Sequence, residues 1–220
     1  MKQVILALSL VFLGAAVILT QHIEKKVTRF ELPLGELKWS NVKPKNAKMC
    51  IPAAFTSKSG KISGSYRKDG KTSQNGKALK MKVSLKGDTF YISNKWLSDN
   101  GFQQLTLVYN SKPMKFHDSR RSIRRALCKD ENGAFILQSN YPMTMSAFAS
   151  ECSKYSTNAT YLDMGEYGYG YIKKNYMSRP LYIWGFFTRG KQTNWIYIIK
   201  AVNDFLGQIP LSLVLEYPLK

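Results

Sequence analysis

Residues 79–85 alternate apolar and polar side chains: Leu79, Met81, Val83 and Leu85 against Lys80, Lys82 and Ser84. A period of two places one set on each face of a strand, here a half-buried strand with a basic outer face. The turn signal Lys86-Gly87-Asp88 leads into a strand-like segment at 89–93, which predicts a hairpin. Leu105, Leu107 and Tyr109 repeat the same period. Asn132-Gly133 marks another turn ahead of the apolar run at 134–138. A short apolar run at 159–163 ends in an acid, Asp163.

Two segments carry the longer, helical period. Met145, Phe148, Ala149 and Cys152 fall at i, i+3, i+4 and i+7, with Thr144 placed to cap the first turn and Pro142 just before it. Trp195, Ile198, Ile199 and Val202 have the same spacing, with Asn194 as cap and Gly207 as stop. Strand pairs broken by two helices predict an α+β fold. The expectation is one strand-rich domain over residues 30–220, with a mixed or antiparallel sheet and two packed helices. Residues 57–76 are rich in Gly, Ser and Lys and read as a loop or a long hairpin turn.

The N-terminus changes the picture. Residues 4–20 form an uninterrupted apolar or small stretch behind a single Lys2. That layout is a secretory signal or an uncleaved membrane anchor over residues 1–22. It predicts an exported location, whether periplasmic, cell-surface or secreted. Export permits disulfides, but Cys50, Cys128 and Cys152 allow one intramolecular pair at most, and spacing does not choose it. Asn158-Ala159-Thr160 is a glycosylation sequon in a secretory context.

Charge adds a partner class. The 220-residue chain carries a formal net charge of +19. The stretch 38–86 has 13 basic residues against Asp69 alone, 112–129 has seven against Asp118 alone, and 173–191 has five and no acid. Such fields attract polyanions. Nucleic acid ranks low, because the leader points outside its usual compartment and no nucleic-acid-binding motif occurs. Phosphorylated or acidic glycan fits the charge and the location, and a retained leader would add a membrane. With only His22 and His117, the chain lacks an HExxH or a three-His zinc site. No cofactor or metal pattern is present, so any catalysis falls to carboxylates and arginine.

Those side chains concentrate in two segments. Arg120, Arg121, Arg124 and Arg125 lie in one, where guanidinium forks suit phosphate. Asp163, Gly165, Glu166 and Tyr167 lie in the other, at a strand end opening into a Gly- and Tyr-rich loop. Glycines let backbone N–H groups approach an anion, and tyrosines stack on sugar faces. Two acids three residues apart can divide acid and base roles where their surroundings differ.

The order of segments resembles the phosphodiester glycosidase domain family. Its opening strand ends in a motif like I-N-G-G-F, which here reads Ile51-Pro52-Ala53-Ala54-Phe55. Its R-T-A-I-G strand corresponds to Arg124-Arg125-Ala126-Leu127-Cys128, followed by the turn at 129–133 and the strand at 134–137. Its L-D-G-G-G-S strand end corresponds to Leu162-Asp163-Met164-Gly165-Glu166-Tyr167. Pro52, Ala53, Ala54, Arg125, Cys128, Met164 and Glu166 stand where the family has other residues. The resemblance implies Arg124 as the site arginine, Asp163 as the site aspartate and Gly165 as a loop glycine. Glu166 is the second candidate carboxylate, and Arg121, Arg125 and Tyr167 are candidate substrate contacts. The implied activity is release of a sugar from a sugar-phosphodiester. The alternative is a non-catalytic protein that binds acidic or phosphorylated envelope glycans on the same scaffold.

Overall fold

Antiparallel pairing organises the chain. In the computed structural model the described residues are 25–57, 60–75, 77–164, 171–172, 175–176 and 194–199. They form three sheets and one helix, α1 (Met145–Ser153). The six-stranded sheet runs in the order β1 (Val27–Glu31), β12 (Gly133–Ser139), β11 (Arg125–Asp130), β13 (Asn158–Leu162), β9 (Thr106–Tyr109), β10 (Lys112–Pro113). A second sheet orders β15 (Asn175–Tyr176), β14 (Tyr171–Ile172), β3 (Ala47–Pro52), β16 (Trp195–Ile199) and β2 (Leu37–Ser40). The third orders β5 (Lys71–Asn75), β4 (Gly64–Lys68), β8 (Asn100–Phe102), β6 (Lys82–Lys86) and β7 (Thr89–Ser93).

The six-stranded sheet is covered on both faces, and its alternation feeds two cores. Ala126, Cys128, Phe135, Leu137, Ala159 and Tyr161 pack with Phe148, Ala149 and Cys152 of α1. The alternate residues Leu127, Ile136 and Leu162 pack with Trp39, Met49, Ile51, Val83, Phe90 and Phe102 from the other two sheets. Large apolar side chains buried in this way contribute roughly 1.5–3 kcal/mol each. Helix α1 starts where Thr144 accepts the Ala147 N–H at 3.2 Å, satisfying one orphan donor of the first turn.

The third sheet needs a glycine at its centre. A Cβ on Gly101 would lie 2.1 Å from the Val83 carbonyl oxygen and 2.9 Å from the Trp96 ring. The backbones of β8 and β6 therefore meet with Trp96 laid across them. The predicted hairpin at 86–89 is the β6–β7 turn, with Gly87 in the left-handed region at φ 62°. The Gly/Ser/Lys-rich segment 57–76 folds largely as the β4–β5 hairpin.

The expected α+β architecture is overturned. The described residues hold one helix, and the segment expected as the second helix is β16. It lies between β3 and β2 and pairs with both. The residues responsible are Trp195, Ile196, Tyr197, Ile198 and Ile199, aromatic and β-branched types that pack well on a pleated surface. Ile196 and Ile198, two apart, enter the large core. Val202, Gly207 and the apolar stretch 4–20 lie outside the described residues. No helix among those described is long and apolar enough to cross a membrane. Cys50, Cys128 and Cys152 are buried free thiols. Burial pushes the Cys50 thiol up to about 12.

Candidate functional site

Three chain segments meet at the ends of β3, β11 and β13. Strand β3 stops at Pro52, beyond the last residue that β14 reaches, so the missing proline N–H breaks no rung between those two strands. The chain then turns through Ala53 and Ala54, both fully buried, to Phe55 and Thr56. Neither alanine adopts a positive φ. The turn is held from two sides. The Asp163 N–H donates to the Ala53 carbonyl at 2.9 Å, and the Thr56 N–H donates to Asp163 Oδ2 at 3.2 Å. Opposite, Asn194 Oδ1 accepts the Ala54 N–H at 2.6 Å. Asn194 Nδ2 donates to the Ala54 carbonyl at 2.9 Å and to Thr56 Oγ1 at 3.1 Å. One side-chain amide thus pairs with both polar groups of Ala54, as a neighbouring strand would.

Asp163 and Tyr161 are two residues apart at the end of β13, so they leave the sheet on the same face. Both are about 5% exposed. Phe55 lies against the Tyr161 ring with centroids 5.4 Å apart. From the neighbouring strand end, Arg124 holds its guanidinium carbon 5.8 Å from the Tyr161 ring centroid. Burial raises the Tyr161 phenol above its ordinary value, with Asp163 adding to the rise and Arg124 opposing it. The phenol is therefore neutral at physiological pH and can donate. The structure brings Arg124, Tyr161 and Asp163 into one buried polar group.

The remaining arginines are placed differently. The Arg125 guanidinium is fully buried, with Nε and Nη2 both donating to Gln138 Oε1 at 3.1 and 2.8 Å. Gln138 and Leu162 are its cross-strand partners, and Leu162 belongs to the core between the sheets. Arg125 therefore points to the other face of β11 from Ala126 and its partner Tyr161. Burial lowers its pKa to about 10, still protonated at neutral pH, and the nearby Tyr161 phenol works the other way. Arg121 is exposed. Gly165, Glu166 and Tyr167 lie outside the described residues.

Arg124 is anchored by its own chain. Its N–H donates to Ser139 Oγ at 2.8 Å and Nε to the Met143 carbonyl at 3.1 Å. Nη2 donates to Asp118 Oδ2 at 3.0 Å and to the Arg120 carbonyl at 2.7 Å. Among the described residues, no group of three or more His, Cys, Asp or Glu is placed to hold a metal ion.

Tyr161, Asn194, Thr56 and Asp118 are not among the candidate site residues read from the sequence, where Asn194 stands as a helix cap and Asp118 as the lone acid of a basic stretch. Tyr161 carries a readable signal, since it sits two positions before Asp163 in a strand. Asn194 carries none: it reaches the turn after β3 from 140 residues further along the chain.

No protein-family model matches the sequence, and no curated protein does. Among solved structures, the chain is similar to the catalytic domain of zebrafish N-acetylglucosamine-1-phosphodiester alpha-N-acetylglucosaminidase, a form auto-inhibited by its pro-peptide. The match has a TM-score of 0.55 at 14% identity, over 80% of this chain and 76% of that one. A hypothetical protein from Synechocystis matches with a TM-score of 0.47 at 10% identity, over 80% of this chain and 57% of that one. The zebrafish match shows a shared phosphodiester glycosidase-like fold.

Proposed function

We propose that the chain is an exported hydrolase that releases a sugar from a sugar-phosphodiester. The observation that carries this reading is the meeting of Arg124 and Asp163 at Tyr161, where the ends of β11 and β13 meet the turn after β3. The likeness to an N-acetylglucosamine-1-phosphodiester glycosidase supports it. In this reading Arg124 binds a non-bridging phosphate oxygen and stabilises the charge that grows on the leaving phosphate. The bond from the anomeric carbon to the phosphate oxygen breaks, and a water oxygen bonds to that carbon. Asp163 accepts the proton of that water. The other product is a phosphate monoester, a leaving group that needs less help from an acid than an alkoxide does. The Tyr161 ring, with its phenol neutral, lies beside Arg124 and forms part of the wall of this site. Glu166 serves as a second carboxylate, and Gly165, Tyr167 and Arg121 serve substrate binding, whereas Arg125, buried on the opposite face of β11 against Gln138, has no contact with substrate in this reading. The apolar stretch at 4–20 supports export.

A second reading is favoured by one observation: Arg124 is already engaged by Asp118, Arg120 and Met143. A scaffold in that state would bind acidic or phosphorylated glycan without turnover. The methyl phosphodiester of N-acetylglucosamine 1-phosphate separates the two. The hydrolase reading expects free sugar, with kcat/KM lowered about tenfold or more in Arg124→Ala, which loses a charge-assisted contact that strengthens as the phosphate leaves. No release above the uncatalysed rate, with binding that weakens steeply in salt, would favour the binding protein.

A further inference from the structure

In the basic stretch 112–129 the lone acid, Asp118, is the residue that meets Arg124. Its Oδ2 lies 3.0 Å from Arg124 Nη2, and its Oδ1 accepts the Arg120 N–H at 2.8 Å. The Arg124 side chain is 7% exposed and that of Asp118 is 41% exposed. A carboxylate from the rim thus occupies one donor nitrogen, Nη2, of a nearly buried arginine. Its two oxygens bridge a guanidinium and a backbone N–H, as two oxygens of a phosphate would.

We infer that Asp118 is a resident competitor for the Arg124 subsite, so that an incoming phosphodiester must exchange with it. The inference rests on the reading of Arg124 as the phosphate-binding residue. Three features support exchange over a fixed staple. Swapping one monoanion for another leaves the buried cation paired before and after, which avoids the large cost of stranding it. Residues 117–121 are all exposed, so the released carboxylate returns to water and no core contact is lost. Arg120 and Arg121 flank it on the same exposed segment and can accompany either anion. The apparent affinity for ligand is then proportional to the fraction of molecules in which Asp118 has let go, and is weak while that fraction is small.

The test is calorimetric titration of inorganic phosphate into the full folded chain at one fixed ionic strength. Asp118→Asn should bind phosphate about three- to tenfold more tightly, the range expected when a part-exposed ion pair stops competing. Asp118→Glu, which keeps the charge, should stay nearer the starting protein. Asp118→Ser repeats the measurement without the amide, and thermal unfolding shows that each variant is folded. Equal or weaker binding by Asp118→Asn, with binding still lost in Arg124→Ala, overturns the competitor role and leaves Arg124 as the anchor. Phosphate binding indifferent to Arg124→Ala overturns both. Failure of both Asp118→Asn and Asp118→Ser to fold would make the carboxylate a structural staple and would also overturn the inference.

Discussion

Asp163→Asn is expected to slow sugar release by about 10²- to 10⁴-fold, the span seen when a positioned acid or base is removed. The substitution is conservative at this site. Asn keeps an oxygen that can accept the Thr56 N–H, and the backbone bond from residue 163 to Ala53 is untouched. The fold should therefore persist, with thermal unfolding close to that of the parent. What goes is the ability to take a proton. The loss should appear in kcat, with binding of inorganic phosphate at Arg124 preserved. Undiminished turnover in the folded variant would remove Asp163 from the chemistry.

The second large effect is on the fold around that carboxylate. Asn194→Ala deletes three hydrogen bonds at a fully buried position. The Ala54 N–H and carbonyl are buried with it. Each buried polar group left without a partner costs about 1–3 kcal/mol, so a loss of roughly 3–5 kcal/mol is expected. Urea unfolding measures it directly. Asn194→Asp is a useful companion, because it keeps the acceptor for the Ala54 N–H, loses the donor and buries a charge. Activity should fall as well, since Thr56 connects Asn194 to Asp163. A loss below about 1 kcal/mol would mean that the turn after β3 holds its shape without the amide, within the ordinary range for one exposed hydrogen bond.

The sequence made some parts of this architecture readable and hid others, for identifiable reasons. The turns at 86–88 and 132–133 are local signals, and the structure places hairpins there, but of the alternation at 79–85 only the part from Lys82 is strand, and Ser84, expected on the outer face, is buried. The helix capped by Thr144 is local in the same sense. Segment 195–199 misled because an i, i+3, i+4 spacing and a strand's alternation overlap in a short run of apolar residues. Pairing with β2 and β3, more than 140 residues earlier, decided between them. The site divides along the same line. Arg124 and Asp163 lie at strand ends that the segment order could align. The meeting of their side chains at Tyr161 depends on β11 and β13 being neighbours, which is a property of the sheet. Asp118 is only a lone acid in a basic stretch along the sequence, because its pairing with Arg124 depends on how the loop folds back. Arg125 shows the reverse: adjacent to Arg124 in sequence, it is turned to the other face by the pleat.

The central claim is that Arg124 and Asp163 cleave the bond between a sugar's anomeric carbon and a phosphate oxygen. Hydrolysis of the N-acetylglucosamine methyl phosphodiester in ¹⁸O-labelled water, with both products weighed by mass spectrometry, tests it most directly. The account predicts one ¹⁸O in the released sugar and none in the methyl phosphate. Label in the phosphate product, which would mean attack at phosphorus, or no release of sugar at all, would contradict it.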